Sequence, residues 1–156
     1  MKTPVALLLL LFAGLASGQT FYAAGLSLLP QSSPKPSGFA AAVIPVSTTQ
    51  KVYSISEIDF TATRTASGVY SVQTSARTGA AVFMRAFGKL NLYGLGDAGA
   101  ATTGTNSGGA LAGGGIATWP TRWKGVYGAA GVRVLKTSIG GTQTLVEIGI
   151  MWGGAK

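Results

Sequence analysis

The chain has 156 residues with no Cys and no His, and it carries 12 basic residues against 4 acidic ones. One domain at most fits this length, and the missing residue types exclude Ser-His-Asp and Cys-His catalysis, His-ligated zinc, disulfides and a lipid-bearing Cys. Charged residues make up 10% of the chain, a fraction ill suited to the hydrated surface of a small soluble domain.

Met1–Gly18 reads MKTPVALLLLLFAGLASG, with one Lys, an apolar run from Val5 to Leu15, and small residues at its end. Spanning a bilayer takes about 20 apolar residues, so this run predicts a cleaved secretory signal, with the mature chain starting at Gln19. Without Lys2 the mature chain keeps 11 basic and 4 acidic residues, a net charge of +7. The basic residues are scattered, which argues against a nucleic-acid partner. Phosphates of lipopolysaccharide or other anionic lipid suit them better. No later segment is apolar for long enough to form a spanning helix. A membrane chain without one must satisfy its backbone in a closed barrel.

Thr20–Leu29 alternates, with Tyr22, Ala24, Leu26 and Leu28 on one face. Pro30–Ser37 is rich in Pro and Ser and predicts a loop. Gly38–Val46 predicts a second strand, and Ser47–Gln50 a polar turn. In a third strand, Lys51–Thr63, Tyr53 and Ile55 share one phase while Ile58 and Phe60 share the other, which predicts a bulge near Ser56–Glu57. A loop at Arg64–Gly68 precedes a fourth strand, Val69–Ala76, with Tyr70 and Val72 on its apolar face. Arg77–Gly88 does not alternate. Its Ala80, Phe83, Met84 and Phe87 recur at helical spacing and predict a short amphipathic helix or wide turn. Lys89–Ala101 is a fifth strand with Asn91, Tyr93 and Asp97 on one face. Thr102–Gly108 is a loop, and Gly109–Thr118 a Gly-rich sixth strand closed by Trp119–Arg122.

Val126–Trp152 reads as an antiparallel hairpin. Val126, Gly128, Ala130, Val132 and Val134 form one stripe, with Tyr127, Ala129, Gly131 and Arg133 behind it. In the second run Val146, Ile148, Ile150 and Trp152 form the stripe, and Gln143, Leu145, Glu147, Gly149 and Met151 lie behind. Both stripes fall on even numbers, so facing residues must have an even sum and the loop an odd length. Centring the turn on Gly140 gives the loop Ile139-Gly140-Gly141, with Gly141 left-handed. Val134 then faces Val146, and Arg133 faces Glu147 as an inward ion pair or a network with Tyr127.

The segments count to eight, mostly about 9–11 residues long, the length that crosses a bilayer when tilted. From a periplasmic N-terminus, Pro30–Ser37, Arg64–Gly68, Thr102–Gly108 and Lys136–Thr142 become external loops. Trp119, Trp123 and Trp152 then share one rim as an aromatic girdle. The chain resembles the small eight-stranded outer-membrane β-barrel proteins of Gram-negative bacteria in its leader, in LNLYGLGDAGAA and in VEIGIMW. The resemblance implies an all-β fold over residues 19–156, a closed eight-stranded antiparallel up-and-down transmembrane barrel in the outer membrane. It also implies outer-membrane lipid and lipopolysaccharide as surroundings, the barrel-assembly machinery as a partner during biogenesis, a monomeric state, and a non-enzymatic structural or surface-contact role. The chain departs from the family in ending GGAK, without a terminal aromatic, with Trp152 four residues earlier.

Gly94-Leu95-Gly96-Asp97-Ala98-Gly99 matches the dinucleotide pattern, yet a loop composition follows and the next acid is Glu147. Small residues that let strands pack closely account for it better, and no cofactor is expected. Glu57 and Asp59 share one strand face, as an acid/base pair would, but an eight-stranded lumen has no sugar-sized cleft. A calcium site from Glu57, Asp59 and Asp97 lacks any loop signature. Glu57, Asp59, Asp97, Glu147, Arg133 and Tyr127 are instead expected as a charge network in a packed lumen, because buried charges need partners. The competing reading is a secreted soluble barrel binding a small apolar ligand, lipocalin-like, which requires the charges outside and the apolar stripes inside.

Overall fold

The computed structural model describes residues 20–28, 37–46, 51–64 and 70–153. The leader Met1–Gly18, the turn Ser47–Gln50, most of the Pro30–Ser37 and Arg64–Gly68 loops, and the last three residues lie outside them. Eight strands follow one another: β1 (Phe21–Leu28), β2 (Ser37–Pro45), β3 (Val52–Arg64), β4 (Tyr70–Phe87), β5 (Leu90–Thr103), β6 (Asn106–Pro120), β7 (Val126–Thr137) and β8 (Gly141–Gly153). Each pairs antiparallel with its sequence neighbour, and β1 pairs with β8, so the sheet closes on itself and has no edge.

Alternation sorts the side chains into two environments. Outward positions carry Val132 (51% exposed), Val134, Ile148 (58% exposed) and Ile150, together with Leu26, Leu28, Phe60, Val72, Val82 and Leu111. Inward positions carry Glu57, Asp59, Arg77, Asp97, Arg133 and Glu147, all buried. The polarity of an ordinary soluble domain is inverted.

Three expectations are corrected. Arg77–Gly88 is not a helix or wide turn. β4 runs on through it to Phe87, pairing Arg77 with Glu57 across β3 and Ala81 with Leu95 across β5. The register shifts between Phe83 and Arg85, leaving Met84 as the extra residue of a bulge. That bulge breaks the alternation and produces the apparent helical spacing. No bulge occurs at Ser56–Glu57, where the pairing with both neighbours is continuous. The phase change there has another origin: the interior itself switches from apolar (Tyr53, Ile55) to charged (Glu57, Asp59) along β3, while Ile58 and Phe60 point out. The third correction concerns the last hairpin. Its loop does have three residues, but they are Ser138, Ile139 and Gly140, and Thr137 pairs with Gly141. Val132 therefore faces Val146 and Arg133 faces Leu145, a shift of one residue pair that keeps every stripe on its face. Gly141 is left-handed at φ 74°, as expected, but it opens β8 and does not sit in the loop. Thr137 Oγ1 accepts a bond from the Gly140 N–H at 2.9 Å and holds the turn.

The connections are shorter than the sequence suggests. Gly104-Thr105 alone joins β5 to β6, and Gly88-Lys89 joins β4 to β5. Trp119 and Pro120 belong to β6, and the turn after them is 121–125.

Candidate functional site

The lumen is layered along the barrel axis. At the end that holds the β5–β6 and β7–β8 turns, Leu135 and Leu145 pack with Ala101, Ala110 and Ala112 under Ile139 and close the interior. In the middle lies a cluster of charges. Toward the opposite end, the interior is lined mostly by apolar and aromatic side chains around a cavity of about 240 Å³.

Two guanidiniums organise the charged layer. Arg77 on β4 donates from Nε to Asp97 Oδ1 at 2.6 Å, from Nη2 to Glu57 Oε1 at 2.7 Å, and from Nη1 to Asp59. Ser75 donates to the same Asp59 carboxylate at 2.7 Å. Arg133 reaches across from β7 and donates to the second oxygens of both Glu57 and Asp97. Glu57 and Asp97 are thus each shared between the two arginines, and the rigid fork of guanidinium donors suits that bridging. Glu147 is the outlying member, with Oε2 3.6 Å from Arg133 Nη1. Glu147 Oε1, Arg133 Nε and the hydroxyl of Ser27, which pairs with Glu147 across β1, are buried without a hydrogen-bond partner.

Room for these side chains comes from the opposite strand. Gly99 faces Arg77, Gly79 faces Asp97, Gly114 faces Arg133 and Gly131 faces Glu147. A Cβ on Gly99 would lie 2.7 Å from Arg77 Cα and against the Ala76 carbonyl. Close strand approach at the charged layer thus explains this glycine of the Gly94–Gly99 pattern, which lies wholly within β5.

Glu57, Asp59, Asp97, Arg133 and Glu147 come together as the sequence suggests, although Arg133 and Glu147 are diagonal and not directly opposed. Tyr127 departs from expectation. It lines the cavity, and its ring meets Phe21 edge-on at 6.3 Å, with no bond to the charges. Arg77, the best-coordinated cation, is missing from the sequence-derived set because its segment reads as non-strand. Its signal was present: Thr78, Ala80, Val82 and Met84 continue the outward stripe of Val72, with Arg77 in the inward phase. The three carboxylates that invite a calcium reading converge on the Arg77 guanidinium, which occupies the position a cation would take.

Trp119, Trp123 and Trp152 lie on the outside at the end where β6 and β8 finish. Tyr22 and Trp152 meet tilted with ring centroids 6.3 Å apart, Arg122 lies over Trp123 at 4.8 Å, and Arg85 over Phe87 at 4.7 Å. Lys51, Lys89 and Lys124 are exposed at the same end. All four acids of the chain are inside, so every charge on the described exterior is positive.

No family model matches the chain, and no curated protein does. Among solved structures it is similar to the crystal structure of Ail, the attachment invasion locus protein of Yersinia pestis. The TM-score is 0.55 at 12% identity, over 88% of this chain and 98% of that one. The shared property is the fold: a closed eight-stranded antiparallel barrel.

Proposed function

We propose that this chain is a non-enzymatic outer-membrane β-barrel with a structural or surface-contact role, exported behind a cleaved signal. The observation that carries this reading is that every acid lies inside while a band of exposed Val, Ile, Leu and Phe side chains lies outside. An apolar outer band bounded by rim aromatics is what a bilayer-spanning barrel requires. The soluble, lipocalin-like alternative needs the opposite sorting and receives no support from it. The cations and rings at the tryptophan rim suit headgroup phosphates, consistent with outer-membrane lipid as the surroundings. The similarity to Ail adds a barrel of the same architecture.

Expression in a Gram-negative host tests the proposal. The protein should fractionate with the outer membrane, begin at Gln19 on N-terminal sequencing, and migrate differently on a gel before and after boiling. Recovery as a soluble periplasmic or secreted protein would overturn it.

A further inference from the structure

We infer that the cavity beside the charge cluster is a binding site for a small organic cation, a primary amine on an apolar or aromatic body. It depends on the barrel geometry and not on the membrane assignment. Most of the wall is apolar or aromatic, including Phe21, Tyr53, Tyr93, Tyr127 and Met151. Its inner end is charged, with Glu57, Arg133 and Glu147 lining it. An eight-stranded interior is just wide enough for side chains to fill it, so an unfilled apolar chamber ending on a carboxylate is a shaped feature. An apolar cavity of about 150 Å³ already accommodates benzene, and this one measures about 240 Å³.

Charge selects the ligand. The described lumen holds the carboxylates of Glu57, Asp59, Asp97 and Glu147 against two guanidiniums, Arg77 and Arg133. A cation entering the cavity would relieve that imbalance. Glu147 is the carboxylate left to receive it: Oε2 turns to Arg133, whereas Oε1 is buried with no donor, and the residue is 2% exposed. Glu57 lines the same inner end and adds carboxylate charge beside it. An ammonium donates three hydrogen bonds and needs such acceptors. The rings of Phe21, Tyr53, Tyr93 and Tyr127 supply negative faces for the cation and contact area for its body.

The test uses the full barrel refolded into phosphatidylcholine nanodiscs, with folding checked by gel mobility and circular dichroism. Benzylamine is titrated against its neutral analogue, benzyl alcohol, and the Met151 methyl resonance is followed. Benzylamine should shift it saturably, with benzyl alcohol at least about tenfold weaker, the ratio expected from one charge-assisted bond. Glu147→Gln should bring the two ligands level, and Ala81→Phe, which fills the cavity beside Tyr53 and Leu95 and away from the charges, should abolish both. Should Glu147→Gln fail to fold, Ala81→Phe and the amine-to-alcohol ratio still decide. Absence of saturable binding, or equal binding of amine and alcohol to the unaltered protein, would overturn the assignment and leave the cavity to water. A failed membrane assignment would appear separately, in fractionation, and the same titration would then be run on the barrel in buffer.

Discussion

Among single residues, Arg77 is predicted to matter most. It is 1% exposed and bonds three carboxylates, so Arg77→Leu would leave Asp59 without its cation and Glu57 and Asp97 on Arg133 alone. Breaking a buried pair in this way costs about 3–5 kcal/mol, and the loss should appear in urea unfolding from lipid vesicles. Arg77→Lys should recover a minor part, since an ammonium keeps the charge but cannot span three acceptors set around a planar fork. Carboxylates should rank by their bonds. Glu57→Gln, which weakens contacts to both arginines, should cost about 2 kcal/mol. Glu147→Gln, whose nearest cation is 3.6 Å away, should cost less in the same unfolding measurement. Arg133 and Glu147 were legible in the sequence because each interrupts a run of clean alternation. Arg77 was not, because the bulge at Met84 lies seven residues beyond it and blurs the period of the whole segment. The cavity was illegible for a different reason: it is a relation among side chains on many strands.

For strands and turns, glycines test the register. Gly141 has a left-handed backbone and open space where a side chain would go. Gly141→Ala should therefore cost only the conformational term, about 1 kcal/mol. Gly99→Val should be far worse, because the added atoms would meet the backbone of Ala76 and Arg77, which cannot move aside without parting β4 from β5. Comparing refolding yield and urea midpoint for the two variants separates a turn effect from a packing effect. Element number, order and facing were readable from period-2 alternation, since the outward side of the strands carries the apolar stripe. Strand ends were less so. β5 and β6 extend to 14 and 15 residues because polar Thr, Ser and Asn continue the ladders past the last apolar side chain, whereas β4 reaches 18 by running on through Arg77–Phe87. The hairpin register missed by one pair for a related reason: parity is fixed by the stripes, but the turn centre is fixed by Thr137 and Gly141 acting locally.

The molecule as a whole is a cup. One end is closed by Leu135, Leu145 and their alanine neighbours, and the charged layer crosses the middle. Purified protein in planar bilayers should accordingly show no steady ion conductance, although its outline is that of a channel. An open, ion-selective current would contradict the observed packing.

The bond from Arg133 to Glu57 joins residues 76 apart in the chain, from β7 to β3. This gives closure a direction. A sheet of β1 to β6 already gathers Glu57, Asp59 and Asp97 around Arg77 alone, so it presents an unneutralised anionic face to whatever arrives next. β7 brings the second guanidinium, and the carboxylates it binds should draw the terminal hairpin in. The last step of assembly should then be faster at low ionic strength, where attraction reaches further. Arg133→Gln should abolish that salt dependence by leaving the closing hairpin without its guide.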